Sequence, residues 1–313
     1  MMTGRLYIDD VDVFSEYGVY IVDEGYNELV AFPPLKTPTC NDWQEEDGVE
    51  ADLSAPILDT KEVSVKFAVS GLYGDIFGLI NQLSDEAYHT FRCVEIGRTF
   101  RLRMTQMSSL DTAKLLGFFT IKFADDFPPE LESEDFDAEP LSKVVPDDSY
   151  TIDGRAFTDF GVRVLEGSLS EVLKQPQVKS NLLRNIATLP GAIYDPEIVT
   201  YKSKDVKLTC LARASDLETL WHNLDCLLYA LTRPEERKLG VAEVESEFAF
   251  YYKSCSVSEF EPTCEPWLKF SLTIVFTQTC RIGDDDCVLS AENGAVFFTE
   301  DAEYAIDMRP MNS

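Results

Sequence analysis

Two histidines, His89 and His222, are all that this 313-residue chain has for moving protons near neutral pH. His222 stands beside Trp221 in a helical pattern and His89 opens a strand pattern. Nothing in the sequence sets either beside a nucleophile, as a Ser-His-Asp or Cys-His site would require. Both read as surface or packing residues. Eight cysteines, at 40, 93, 210, 226, 255, 264, 280 and 287, include no Cys-x-x-Cys pair. The spacings of Cys255, Cys264, Cys280 and Cys287 match no standard zinc pattern. In a reducing compartment cysteines serve as small buried hydrophobes, and a Cys280–Cys287 disulfide would need oxidation after release from the cell. Gly283-Asp284-Asp285-Asp286-Cys287 lacks the spaced ligands of a calcium loop and reads as a solvated turn. There is no Gly-x-Gly-x-x-Gly and no Walker sequence to cradle a phosphate. Carboxylates are numerous enough for a glycosidase pair. They gather in turns and a linker, however, where water solvates the charge and a raised pKa is hard to sustain. The expectation is a chain with no catalytic, cofactor-binding or metal-binding residues and no cofactor, hence not an enzyme.

Charge narrows the field further. Fifty-six acidic against 27 basic residues give a net charge of −29. Capture of nucleic acid needs cations that displace phosphate counterions, so that class is excluded. The acidity suits plain solubility, or a surface that DNA passes without adhering. A hydrophobic content of 45 % is ordinary for a folded chain. The length is long for one core and comfortable for two. The N-terminal residues hold no apolar stretch of signal-peptide length, and no segment reaches the ~18 apolar residues of a membrane helix. Synthesis and folding in a cytoplasm is the default.

The elements that would have to position any site occur twice. Phe14-Ser15-Glu16-Tyr17-Gly18-Val19 returns as Phe157-Thr158-Asp159-Phe160-Gly161-Val162, a shift of 143. Lys61-Glu62-Val63 returns as Lys204-Asp205-Val206 at the same shift. This divides the chain into module 1 (1–129), an acidic linker (130–149), module 2 (150–282) and a C-terminal hairpin or extension (283–313). The linker carries eight acidic side chains against Lys143 alone, so self-repulsion and its flanking prolines favour an extended connector. In the extension, Glu292-Asn293-Gly294 is a hairpin signal, and Tyr304–Met308 reads as a strand free to pair with a neighbouring chain.

Within module 1, Leu6-Tyr7-Ile8 and Gly18–Val22 read as strands, Trp43–Gly48 as a solvated acidic loop, and Glu62–Val69 as a strand alternating with period two. Leu72, Ile76, Phe77, Ile80 and Leu83 recur at helical spacing and predict one helix packed through that stripe. Strands are expected over Thr90–Ile96, Thr99–Met107 and Leu115–Phe123. Module 2 repeats the order with a strand over Asp205–Ala212 and a helix opened by a Ser215–Glu218 capping box. Leu220, Trp221, Leu224 and Leu227 pair with Ile76, Phe77, Ile80 and Leu83 at a shift of 144. Glu247–Tyr252 then matches Thr99–Met104 at 148, and Leu268–Thr279 closes the module. Gly18 and Gly161 suit a bulge or bend in a strand, or a close backbone approach at a subunit contact. The aromatic run Phe248–Tyr252 reads as alternating core packing, with a sugar platform as the other use. The fold class is mainly β with one packed helix per module.

Leu6-Tyr7-Ile8-Asp9-Asp10 followed by Tyr17-Gly18-Val19 resembles the start of distal tail proteins of long-tailed phages. Ile152-Asp153-Gly154 followed by Phe160-Gly161-Val162 looks like the same start repeated. The order of strands, one helix and more strands is similar to the tail-tube fold of tube, distal tail and baseplate hub proteins and of the type VI secretion tube protein. The resemblance implies two tandem tail-tube-like β-sandwich or barrel domains and no catalytic residues. It implies a virion structural protein, assembled in the host cytoplasm, forming a ring around the DNA channel between tail tube and tip. Its partners would be itself, as a trimeric pseudo-hexamer or a hexamer, together with the tube protein and tip or hub proteins. DNA would pass an acidic lumen without specific binding, and no membrane would be entered. The duplication departs from the single module usual in distal tail proteins. Two other functions fit the composition: a carbohydrate-binding or adhesin-like surface β protein, and an acid–base glycosidase.

Overall fold

The computed structural model describes residues 2–70, 74–107, 111–113, 116–130, 144–179, 187–188, 190–191 and 199–278. Most of the acidic linker, the Asp284–Asp286 run, Leu72, Cys280, Cys287 and the C-terminal hairpin pattern lie outside the described residues. The fold is mainly β, of the α+β class.

The first half contains β1 (Leu6–Ile8), β2 (Val11–Asp12), α1 (Val13–Tyr17), β3 (Val19–Ile21), α2 (Asn27–Val30), β4 (Cys40–Asn41) and β5 (Glu50–Ala51). There follow β6 (Lys61–Ser70), α3 (Ile76–Asp85), β7 (His89–Cys93), β8 (Arg98–Met107), β9 (Asp111–Ala113) and β10 (Leu116–Asp125). The second half contains β11 (Tyr150–Ile152), β12 (Arg155–Ala156), β13 (Val162–Val164), α4 (Ser168–Leu173), β14 (Lys204–Arg213) and α5 (Leu217–Thr232). It ends with β15 (Arg237–Val241), β16 (Ser246–Glu261) and β17 (Trp267–Phe276).

The first sheet runs β2-β1-β7-β8-β10-β6-β3, with β9 attached to β10, and the second runs β12-β11-β15-β16-β17-β14-β13. Strand for strand the two orders coincide, and every pairing is antiparallel. Alternation explains the burial. In β6, Val63, Val65, Phe67 and Val69 turn inward, and in β14 Val206, Leu208, Cys210 and Ala212 do the same. Phe67 stacks on Phe119 at 5.4 Å and Phe248 on Phe276 at 5.1 Å. Each buried phenyl ring contributes about 1.5–3 kcal/mol from water exclusion.

Small devices also recur. Asp9 and Asp153 both hold φ 50, the left-handed region that Asp tolerates better than most residues. Each accepts a backbone N–H, from Thr90 at 2.8 Å and from Lys238 at 2.9 Å. Lys61 donates to the carbonyls of Leu29 and Ala31, and Lys204 to those of Val172 and Lys174, satisfying the open C-terminal ends of α2 and α4.

Several expectations are corrected. In α3 Leu79 and Leu83, one turn apart, are buried and Ile76 packs partly buried on the core, while Phe77 is 73 % exposed. Asp75 caps the helix through the Gly78 N–H. The cap fixes the phase, and Phe77, two residues before Leu79, falls on the far side. The helices therefore correspond at a shift of 141, not 144: Asp75 with the cap Asp216, Leu79 with Leu220, Leu83 with Leu224. Asp216, not Ser215, caps α5, accepting the Thr219 N–H at 2.8 Å. Gly18 and Gly161, at φ 64 and 65, end helical turns rather than bend strands. The strand expected over Thr90–Ile96 stops at Cys93, and Val94–Ile96 form a 3-10 turn. Among the described residues, no helix is long and apolar enough to cross a membrane.

Candidate functional site

His89 is 2 % exposed; its Nδ1 lies 2.6 Å from Asp9 Oδ2 and its Nε2 3.2 Å from the Leu83 carbonyl. Both ring nitrogens are thus committed to holding β1, α3 and β7 together. Arg237 takes the same place in the second half, its Nη1 3.0 Å from Asp153. The shared role is structural. His222 does meet a thiol that the sequence reading overlooked: Cys226 Sγ lies 3.6 Å from its Nε2. Their spacing of four on a helix is the signal that could have found it. Burial pushes the Cys226 thiol up, the opposite of what a nucleophile needs.

Among the described residues, Asp125 and Asp126 form an adjacent carboxylate pair whose acidities are driven apart. Burial raises Asp125 against the pull of Lys61, while hydrogen bonds from Arg103 hold Asp126 low. Asp126 is tied up by Arg103, Tyr88 and Thr60. Consecutive residues leaving a strand point to opposite sides, so the two share no substrate. Among the described residues no group of three or more His, Cys, Asp or Glu is placed to hold a metal. Cys264 is exposed and Cys255, half-buried, has its thiol pushed up to about 12 by burial. Phe248, Phe250 and Tyr252 are buried, which removes them as a sugar platform, and Tyr251 faces away from them, half-buried.

The concentrated chemistry lies instead at the joint between the sheets. Lys179, 2 % exposed, receives the loop after β4. Its Nζ donates to the carbonyls of Trp43 at 2.7 Å, Glu46 at 2.8 Å and Gly48 at 2.8 Å, with Asp42 Oδ1 at 2.5 Å. A buried ammonium is tolerable only with such saturation. Around it, Gly48 N–H donates to the Tyr201 carbonyl and Val49 N–H to that of Thr277, each at 2.8 Å. Thr200 Oγ1 donates to the Gln44 carbonyl at 2.8 Å, and Asp47 accepts the Tyr201 N–H at 2.8 Å. Gly48 sits at φ +71, and a Cβ there would lie 1.8 Å from the Thr277 carbonyl oxygen. The loop expected to be merely solvated is a clasp made of backbone.

Further contacts extend the joint. Arg98, at the start of β8, donates through Nη2 to both oxygens of Asp225 at 2.9 Å and lies 4.9 Å over the Trp221 ring. Trp221 Nε1 donates to the Ile96 carbonyl at 2.8 Å. Burial raises the Asp225 carboxyl and Arg98 draws it back. Along β16, Lys253 accepts the Leu35 N–H at 3.0 Å, and Tyr252 Oη donates to the Pro33 carbonyl at 2.9 Å. Beneath them Lys61 is pushed down to about 8 by burial, partly offset by Asp125. Beside the clasp, a groove of about 1120 Å³ between β5 and β15–β16 carries Glu50, Asp52, Glu235, Glu236 and Glu247 with Lys238. Most of these acids are exposed. The groove's described lining is acid-rich and holds no buried acid–base pair.

Comparison with known proteins adds little to this geometry. No protein-family model and no curated relative matches the chain. Among solved structures, it is similar to the SPP1 Dit (gp 19.1) protein, called a paradigm of hub adsorption apparatus in phages infecting Gram-positive bacteria. The identity is 13 % and the TM-score 0.31. The alignment takes in 41 % of this chain and 49 % of that one, so it spans about half the length of that neighbour.

Proposed function

We propose that the chain is a non-enzymatic structural protein of a phage tail, a connector between tube and tip that forms a ring around the DNA channel. Its domains on this reading are module 1 (1–129), the linker (130–149), module 2 (150–282) and the C-terminal extension (283–313). The observation that carries the reading is that two sheets of identical strand order are joined head to tail, the first half clasping the second. Repeated modules with directional contacts suit rings and tubes, whereas an enzyme needs one site. The repeated Ile-Asp-Asp and Ile-Asp-Gly starts, which carry the likeness to distal tail proteins, are the turns built on Asp9 and Asp153. With a charge of −29, acids lining the lumen would let DNA slide, their field reaching about 8 Å at physiological salt. Tube protein and tip or hub proteins are the outside partners on this reading, and the virion is its location.

Electron microscopy of the purified protein tests this. Particles with three- or six-fold symmetry and a central opening are expected. A monomer at every concentration, or binding to glycans that substitution of surface aromatic residues abolishes, would overturn it.

A further inference from the structure

The joint inside the chain has a direction. The first half supplies a clasp, a 3-10 turn and the Pro33–Leu35 strip, and the second half supplies Lys179, α5 and β16 to receive them. The receiving features recur in the first half with nothing upon them among the described residues. Lys179 follows the bridge between Val178 and Tyr201; Lys36 follows the corresponding bridge between Leu35 and Leu58. Both lysines donate their backbone N–H across that bridge, to Thr200 at 2.7 Å and to Ile57 at 2.8 Å. Yet Lys179 is 2 % exposed while Lys36 is exposed, and Thr200 is 5 % exposed against 57 % for Ile57. On α3, Ile80 and Ser84 correspond to Trp221 and Asp225, and the large apolar side chain beside them, Phe77, stands in solvent.

Two of the supplying features recur in the second half, likewise uncovered among the described residues. Val178 is 47 % exposed where its counterpart Leu35 is 9 % exposed. Ala242–Val244 with Glu245 form the counterpart of the 3-10 turn at Val94–Gly97, and Ala242, Glu243 and Glu245 are exposed.

We propose that a second copy of this chain docks on the first half through this vacant receiving surface, Lys36, Ile57 and the Phe77–Ile80 side of α3. The second copy presents its second half, with Val178 and the Ala242–Glu245 turn leading. The contact repeats between molecules what the chain already makes within itself. Such a head-to-tail contact joins different surfaces on the two partners, so it propagates until it closes into a ring. The proposal rests on the ring-forming reading above and adds the surface that does the work.

Mass photometry across a dilution series tests it, with Lys36→Glu and Phe77→Asp made singly and together. Both side chains are exposed, so at concentrations where the wild type is a monomer the melting temperature should match the wild-type value, while the half-assembly concentration rises at least ~10-fold. Because a variant could lose its fold, wild-type protein is also cross-linked through lysines in an equal mixture of normal and heavy-nitrogen chains. Mixed-isotope peptides must join Lys36 to the second half of the other copy. A wild type that assembles with unaltered variants, or links only first half to first half, overturns this surface and leaves the ring reading standing. A wild type that never assembles overturns both.

Discussion

Gly48 is the residue on which the clasp turns, because only a residue without Cβ allows its backbone to lie against Thr277 at φ +71. Gly48→Ala should cost at least ~2 kcal/mol in denaturant unfolding; an unchanged midpoint would mean that the loop does not close this way. Lys61 makes a second, pH-linked prediction. Its folded-state value of about 8 lies below its ordinary 10.5. Below the lower figure both states are protonated and burial of the charge works against folding. Between the two figures the folded state holds fewer protons than the unfolded one, so this group's contribution to stability rises with pH. Relative to Lys61→Met, the wild type should gain unfolding free energy from pH 8 to 10.5. A flat difference in melts across that range would refute the assignment.

At the scale of elements, α3 separates a side chain that supports the fold from one that does not. Leu79→Ala should lose about 2–5 kcal/mol because it opens a cavity over the sheet, while Phe77→Ser should change unfolding by no more than ~0.5 kcal/mol. Equal effects in paired melts would show that the helix is turned otherwise. The sequence misled here for a definite reason. The apolar stripe Ile76, Phe77, Ile80 and Leu83 reads as one inward face, and Leu83 and Ile76 do pack on the core, but the helix phase set by the cap Asp75 puts Leu79 there and turns Phe77 out. Strands were easier to read. Alternation along Glu62–Val69 and Asp205–Ala212 predicts β6 and β14 to within a residue or so at each end, since one buried face leaves a period-two imprint. The clasp left no imprint at all. Lys179 is bound by carbonyls of Trp43, Glu46 and Gly48, and every residue type has a carbonyl.

For the molecule as a whole, the governing quantity is −29 charges on one chain. Repulsion among them opposes compaction and is screened by salt. The melting temperature should therefore climb by a few degrees between ~20 and ~300 mM sodium chloride; a fall would mean that ion pairs such as Arg98–Asp225 outweigh the repulsion. The same scale sets the order in which the halves meet. The clasp around Gly48 needs Lys179, Tyr201 and Thr277, and about 230 residues lie between Gly48 and Thr277. A ribosome adding ~5–20 residues per second takes on the order of ten to fifty seconds to supply them. Throughout that interval the nascent chain carries an open hook, whose fastening edge is among the last parts of its own chain to be made.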